Sequence, residues 1–228
     1  MSMVSREYKD RLFKLIFGRS ENRKWTLSLY NAINGTAYDR PEDIELNTID
    51  DVLYMGMKND VSYLLCDMMN IYEQQSTFSP NMPVRELMYV GRLYDKYIKQ
   101  HRYNIYGKRR ITLPVPKLVV FYNGKDDAED DTLLQLSDSF PEFVKDMSDI
   151  SVRVRMLNIN YGHSEKLLTN CNVLNEYAWF VNEVRKNCDR MTLEDAVDLA
   201  IEEMAQDAEL KEFMVGHRSE VVMSCLTE

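Results

Sequence analysis

Two acidic side chains and one amide are the residues of this sequence best suited to chemistry. Asp60 begins one apolar run, DVSYLLC, while Glu73 and Gln75 lie in the next, MMNIYEQQ. Residues two apart on a strand point to the same side of a sheet, so Glu73 and Gln75 share a side. If the two runs pair as a hairpin, Asp60 falls near Glu73. Two carboxylates in an apolar sheet are costly to bury unless a cation neutralises them.

A divalent metal ion would meet that requirement. Magnesium takes hard oxygen ligands and keeps positions open for water and a phosphate oxygen, and the peptide carbonyl of Gln74 would add a ligand between the two side chains. Such an ion lowers the pKa of a bound water and stabilises charge during phosphate ester hydrolysis. The spacing alone is common in unrelated chains, so a solvent-facing strand end is the alternative interpretation.

The apolar periodicity predicts the elements that position these residues. Helical spacing runs up to Gly18 and again over residues 23–33, and the hairpin occupies residues 61–66 and 69–75 with its turn at Asp67. Further along, the pattern predicts a long helix over 83–102, strands over 117–124 and 151–162, an acidic loop over 126–131 and helices to the end. This order indicates an α/β fold with a helical C-terminal part.

The long helix carries a basic row beside its apolar residues. The apolar spacing predicts a buried stripe made of Val84, Leu87, Gly91, Tyr94 and Ile98. At 100° per residue, four basic side chains fall within about 60° of one another, opposite that stripe. They are Arg85, Arg92, Lys96 and Lys99. Such a row is suited to a phosphate backbone, although a solvated helix face is the alternative.

Charge and cysteine usage narrow the class of protein. The net charge is −9, yet the first 112 residues carry 17 Lys and Arg against 14 Asp and Glu, and the remainder 11 against 23. We therefore expect any nucleic-acid surface in the first half, which includes the basic cluster at 108–110. The four cysteines are scattered and no apolar run approaches 18 residues, so we expect a cytoplasmic protein without a structural zinc site, disulfide framework or membrane span.

An ordered succession of segments resembles a known family. The segments include DRLFKLIFG, LSLYNAING, KNDVSYLL and NIYEQQSTFSPNMPVRELMYVGRLYDKYI, followed by LPVPKLVVFYNG, LLQLSDSF, VRMLNINYG and AVDLAIEEM. Together they are similar to the recombination-promoting nuclease (Rpn), transposase-like branch of the PD-(D/E)XK nuclease superfamily. The stretch over 58–97 is the most specific part of the resemblance.

The resemblance implies a restriction-endonuclease-like core, αβββαβ, with a mixed central sheet flanked by helices. It implies a nuclease-like domain over residues 1–165 and a helical extension packed on it over 166–228. The implied activity is Mg²⁺-dependent hydrolysis of DNA phosphodiester bonds in a transposase or recombination setting, with Mn²⁺ able to substitute. Cutting both strands with one site per chain would favour a homodimer. The alternative is a catalytically weak or inactive nuclease-fold module that binds DNA or protein.

The resemblance also assigns roles by position. Asp60 and Glu73 match the metal-binding acids, and Gln75 occupies the position where the wider superfamily has lysine. An amide orients water but carries no charge, and losing one such electrostatic contact costs on the order of 10²–10³ in rate. We therefore expect slow cleavage, or compensation by another cation, for which Lys58 is the nearest candidate and a solvent-exposed lysine is the alternative. Of the basic row, Arg85 is the residue expected to reach the site. Asp10, on the first helix, is a candidate additional acid, with a surface position as the alternative.

Overall fold

A hairpin and one parallel strand form the centre of the sheet in the computed structural model, which describes residues 11–46 and 60–225. The described strands are β1 (Glu45–Leu46), β2 (Val61–Leu65), β3 (Met68–Gln75), β4 (Val115–Tyr122), β5 (Asp131–Gln135) and β6 (Arg153–Asn158). They form one mixed sheet in the order β1-β2-β3-β4-β6-β5. Strands β3, β4 and β6 run parallel, and the remaining pairings are antiparallel.

Helices flank this sheet and make up the C-terminal part. They are α1 (Arg11–Phe17), α2 (Arg23–Asn34), α3 (Met82–Gln100), α4 (Glu165–Asn170), α5 (Asn172–Asn187), α6 (Leu193–Glu203), α7 (Glu209–Gly216) and α8 (Arg218–Cys225). Short 3₁₀ turns join some of the elements. The long helix α3 connects β3 to β4, which suits a parallel pair because such strands need a crossover connection.

The alternation of side chains along β3 gives the sheet two different sides. On the side we call the α3 side, Met69 and Ile71 pack with Tyr89 and Leu93 of α3. On the opposite side, Tyr72 joins a larger apolar cluster that includes residues of α1, α2 and α4–α8. We call this the large-core side, and the C-terminal helices share it with the first two helices. The division of the chain at residue 165 stays a prediction.

Most of the predicted elements are present. The helix ending before Gly18, the hairpin with its turn at Cys66 and Asp67, the long helix and both later strands are confirmed within a few residues. The prediction of a loop at Asp131 is wrong, because Asp131 begins β5, an edge strand that pairs with β6 and exposes Asp131, Leu133 and Gln135 to solvent. The result is a mixed α/β fold with a helical C-terminal part.

The predicted buried stripe of α3 is wrong. Val84 and Gly91 are exposed, whereas Met82, Glu86, Tyr89 and Leu93 are buried. These positions are separated by four, three and four residues and therefore form one helical face. A hydrophobicity pattern could not select this face, since it includes a carboxyl group. The basic row consequently flanks the buried face instead of lying opposite it.

No helix within the described ranges is long and apolar enough to cross a membrane.

Candidate active site

Asp60 and Glu73 come together where the hairpin opens. The antiparallel register pairs Val61 with Tyr72, which places Asp60 opposite Glu73. The backbone N–H of Asp60 donates to Oε1 of Glu73 at 3.0 Å, and the backbone N–H of Gln74 donates to Oδ2 of Asp60 at 2.7 Å. Each carboxylate therefore accepts a hydrogen bond from the opposing strand. The predicted proximity of the two acids is confirmed.

Both carboxyl groups are removed from solvent, and a guanidinium group lies against one of them. Asp60 is 6% exposed and Glu73 is 1% exposed. Nη2 of Arg85 lies 3.0 Å from Oε2 of Glu73 and 3.2 Å from the hydroxyl of Tyr89. The Arg85 side chain is one-third exposed, so the cluster reaches the surface at this residue. Because the pair is charge-assisted and one partner is fully buried, it holds Glu73 in a fixed orientation.

The two glutamines of this segment lie on opposite sides of the sheet. By alternation Gln75 shares the α3 side with Glu73, where it is partly buried. Gln74 instead points to the large-core side, where its side-chain amide donates to Oδ1 of Asn123. Nδ2 of Asn123 donates in turn to the hydroxyl of Tyr177 at 3.0 Å. The side chain of Gln74 is therefore a structural link, and only its backbone borders the acids.

Glu86 is a third buried acid that the sequence pattern did not identify. It is fully buried on the sheet-facing side of α3, and neither carboxyl oxygen has a hydrogen-bond partner within the described part of the chain. Burial raises the pKa of the Glu86 carboxyl well above its ordinary value; the charge of Arg85 lowers that pKa, and the charge of Asp60 raises it. The sequence holds one indication of this buried acid: Glu86 precedes Tyr89 by about one helical turn, so the two residues share a helical face.

The remaining predicted binding residues are more dispersed. Arg92 is partly buried, Lys96 and Lys99 are exposed, and Nζ of Lys99 pairs with Oδ2 of Asp95 at 2.6 Å. Within the basic row, Arg85 contacts the acidic pair through Oε2 of Glu73. Lys58 and Asp10 lie outside the described residues.

The donor set suits a hard divalent cation. Magnesium is commonly held by one or two carboxylates and otherwise by water and phosphate oxygens, and a carboxylate offers about four lone-pair positions, of which an N–H occupies one. Asp60 and Glu73 therefore retain coordinating capacity despite their hydrogen bonds. Three or more His, Cys, Asp or Glu side chains arranged to hold a metal among themselves do not occur within residues 11–46 and 60–225. The fit is thus to a two-carboxylate site.

Comparisons with family models, curated proteins and solved structures found no match for this chain.

Proposed function

We propose that this protein is a divalent-cation-dependent DNA endonuclease that hydrolyses phosphodiester bonds in a transposase or recombination setting. The observation that carries the proposal is the reciprocal placement of two buried carboxylates, Asp60 and Glu73, at the end of a central hairpin. Neutral side chains would fill this place at lower cost, because buried charges are unfavourable unless they are paired. Arg85 pairs with Glu73, and a function that needs a cation would explain why a second acid is buried beside that pair.

The order of elements supports the same proposal. A helix, three antiparallel strands, a helix and a parallel strand follow one another as α2, β1–β3, α3 and β4. This order fits the αβββαβ core of restriction-endonuclease-like nucleases, to which the sequence is similar. The two acids lie on the hairpin that such a core uses for its metal-binding residues.

Each side chain has a distinct task in this proposal. Asp60 and Glu73 would hold Mg²⁺ or Mn²⁺, which would supply Lewis-acid stabilisation of the charge that develops on the phosphate. Gln75 orients the attacking water through its amide. Arg85 supplies the positive charge that Gln75 lacks, because its guanidinium already lies against Glu73 and reaches the surface.

A basic surface leads away from this site along α3. Residues 96–110 contain six Lys and Arg and neither Asp nor Glu, and residues 101–110 are all exposed. Exposed aromatic side chains accompany these charges, including Tyr106, while the rings of Tyr97 and His101 stack with centroids 4.0 Å apart. Helix α3 is about 28 Å long, which corresponds to about eight base pairs of duplex.

A DNA substrate would place the protein in the cytoplasm, and double-strand cutting would use a homodimer.

Nicking of supercoiled plasmid DNA tests the proposal. We expect wild-type protein to nick the plasmid with Mg²⁺ or Mn²⁺ and to stop when the cation is chelated. Asp60→Asn and Glu73→Gln should each abolish nicking while circular dichroism shows an unchanged fold. Glu183→Gln is the matched control, because Glu183 is a largely buried acid that pairs with Lys186 away from the site. Undiminished nicking by both site variants would overturn the assignment.

A non-cleaving binding module is the second candidate function, and a specific observation favours it. Gln75 carries no charge, and Arg85 already neutralises Glu73 without a metal ion. Calorimetric titration with Mg²⁺ separates the two functions. The endonuclease predicts binding that requires Asp60 and Glu73, whereas the module predicts DNA binding in a chelating buffer together with no cation binding at these acids.

A further inference from the structure

Glu86 is the buried group that the proposed chemistry leaves unexplained. It is 0% exposed, and both of its carboxyl oxygens are without hydrogen-bond partners within the described part of the chain. Its neighbours on the same helical face are the apolar side chain of Met82 and the aromatic ring of Tyr89. A methionine or leucine would fill this position without burying a polar group, so packing does not account for an acid.

The position of Glu86 relates it to the acidic pair. Glu86 directly follows Arg85 on α3 and shares the buried helical face with Tyr89, one turn further along. Nη2 of Arg85 lies 3.2 Å from the hydroxyl of Tyr89 and 3.0 Å from Oε2 of Glu73, so the residues on both sides of Glu86 contact the acidic pair or its arginine. The guanidinium of Arg85, however, forms its ion pair with Glu73. Glu86 therefore borders the site while its oxygens remain available.

We propose that Glu86 is a positioning residue that binds the hydrated cation through its water shell. This inference rests on the proposed cation site at Asp60 and Glu73. Magnesium gives up its water reluctantly and usually keeps several waters when bound. Those waters are hydrogen-bond donors, which are what two unpartnered carboxyl oxygens lack. Within the described ranges, no three acids are placed to coordinate one metal ion directly. We therefore expect Glu86 to contact the ion through the water molecules bound to it.

Calorimetric titration with Mn²⁺ in the absence of DNA tests this role directly. We expect wild-type protein to bind the ion and Asp60→Asn to lose binding. Glu86→Gln preserves the size of the side chain and should weaken binding about 10- to 100-fold, which is the usual loss when a group behind the direct ligands is replaced. Glu183→Gln should bind as the wild type does.

The possible outcomes separate this inference from the proposed function. If Asp60→Asn abolishes binding while Glu86→Gln binds as tightly as wild type, the role of Glu86 is overturned and the cation site stands. If wild-type protein binds no Mn²⁺, the cation site itself is overturned, and the role of Glu86 falls with it.

Thermal unfolding supplies a second readout that does not depend on activity. Glu86→Met removes an unpartnered buried carboxyl group, so we expect its melting temperature in a chelating buffer to exceed that of wild type. Added Mn²⁺ should raise the melting temperature of the wild type more than that of the variant, because at a given concentration a tighter ligand stabilises the folded state more. A Glu86→Met protein that melts below wild type without metal would show that Glu86 supports the fold, which contradicts the inference.

Discussion

The two sides of the sheet differ in what they bury and in the charge they present. On the α3 side, the residues from 82 to 110 carry eight Lys and Arg against two Asp and Glu, and the acids Glu73 and Glu86 are buried beneath the helix. On the large-core side, the residues from 166 to 228 carry six Lys and Arg against thirteen Asp and Glu. A single strand, β3, supplies both sides because successive side chains alternate.

The two sides contribute differently to the protein. The large-core side supplies most of the apolar packing that stabilises the fold, whereas the α3 side holds the residues of the proposed active site. The large-core side holds the bigger apolar cluster, and its buried polar groups near β3 are neutral amides and phenols, such as those of Gln74, Asn123 and Tyr177. The side-chain amide of Asn70 is also fully buried on that side and has no hydrogen-bond partner within the described residues. A neutral amide costs much less to bury than a carboxylate. The buried acids and the basic surface of the proposed function thus both lie on the α3 side.

The largest effect should follow from a cavity on the large-core side. Phe121 is fully buried against the rings of Phe13 and Tyr72. We expect Phe121→Ala to lower the free energy of unfolding by about 3–5 kcal/mol, because the lost contacts leave a cavity. Chemical denaturation measures the change. Glu73→Gln is the counterpart on the α3 side and should lose activity at nearly unchanged stability. A larger loss of stability in Glu73→Gln than in Phe121→Ala would contradict the difference between the two sides.

Two arginines on opposite sides of the sheet offer a matched pair. Arg85→Ala should slow plasmid nicking about 10²- to 10³-fold, because it removes the positive charge beside Glu73, while Arg85→Lys should recover part of the rate. Arg185 bonds instead to the side chain of Asn160 and the backbone carbonyl of Asn123. Arg185→Ala should therefore reduce thermal stability and leave the nicking rate per folded molecule unchanged. Equal loss of activity in both variants would contradict the assignment of chemistry to the α3 side.

The basic segment should control how DNA binding responds to salt. Each phosphate contact contributes about 0.9 to the slope of log affinity against log salt concentration. We expect the triple variant Lys108→Ala, Arg109→Ala, Arg110→Ala to reduce that slope by about 2 to 3, measured by fluorescence anisotropy in a chelating buffer.

Three lysines on the acidic side provide the control for that experiment. Replacing Lys166, Lys186 and Lys211 with alanine removes the same charge from the large-core side. The slope should stay at its wild-type value. A similar loss in both triple variants would mean that net charge, and not a local surface, governs binding.

A small pH effect should come from the surface of the large-core side. Hydrogen bonds from Arg218 lower the pKa of the Asp198 carboxyl below its ordinary value. Near that pKa the folded state binds fewer protons than the unfolded state. The contribution of Asp198 to the free energy of unfolding is therefore complete above about pH 3.9 and is lost as the pH falls through the pKa of the folded state. Arg218→Gln should melt below wild type at neutral pH, with a difference that shrinks in acid. A difference that grows in acid would reverse the sign of the argument.

The local spacing of apolar residues predicted many of the helices and strands from the sequence alone. Alternating and helical spacing predicted the hairpin, α3 and the strands β4 and β6, because each depends on residues close together in the chain. The hairpin register also follows from its short turn, so the meeting of Asp60 and Glu73 was predictable. The edge strand β5 was missed, because it is five residues long, half-exposed and begins on the last residue of the acidic run.

Only the tertiary structure decided which face of α3 is buried and what lies beneath it. Helix α3 has apolar residues on more than one side, and packing against Met69 and Ile71 selected the face that contains Glu86. The same orientation brought Arg85 to Glu73 and left Lys96 and Lys99 on the outside. Burial of a charged group is settled by partners distant in sequence, which no local periodicity contains.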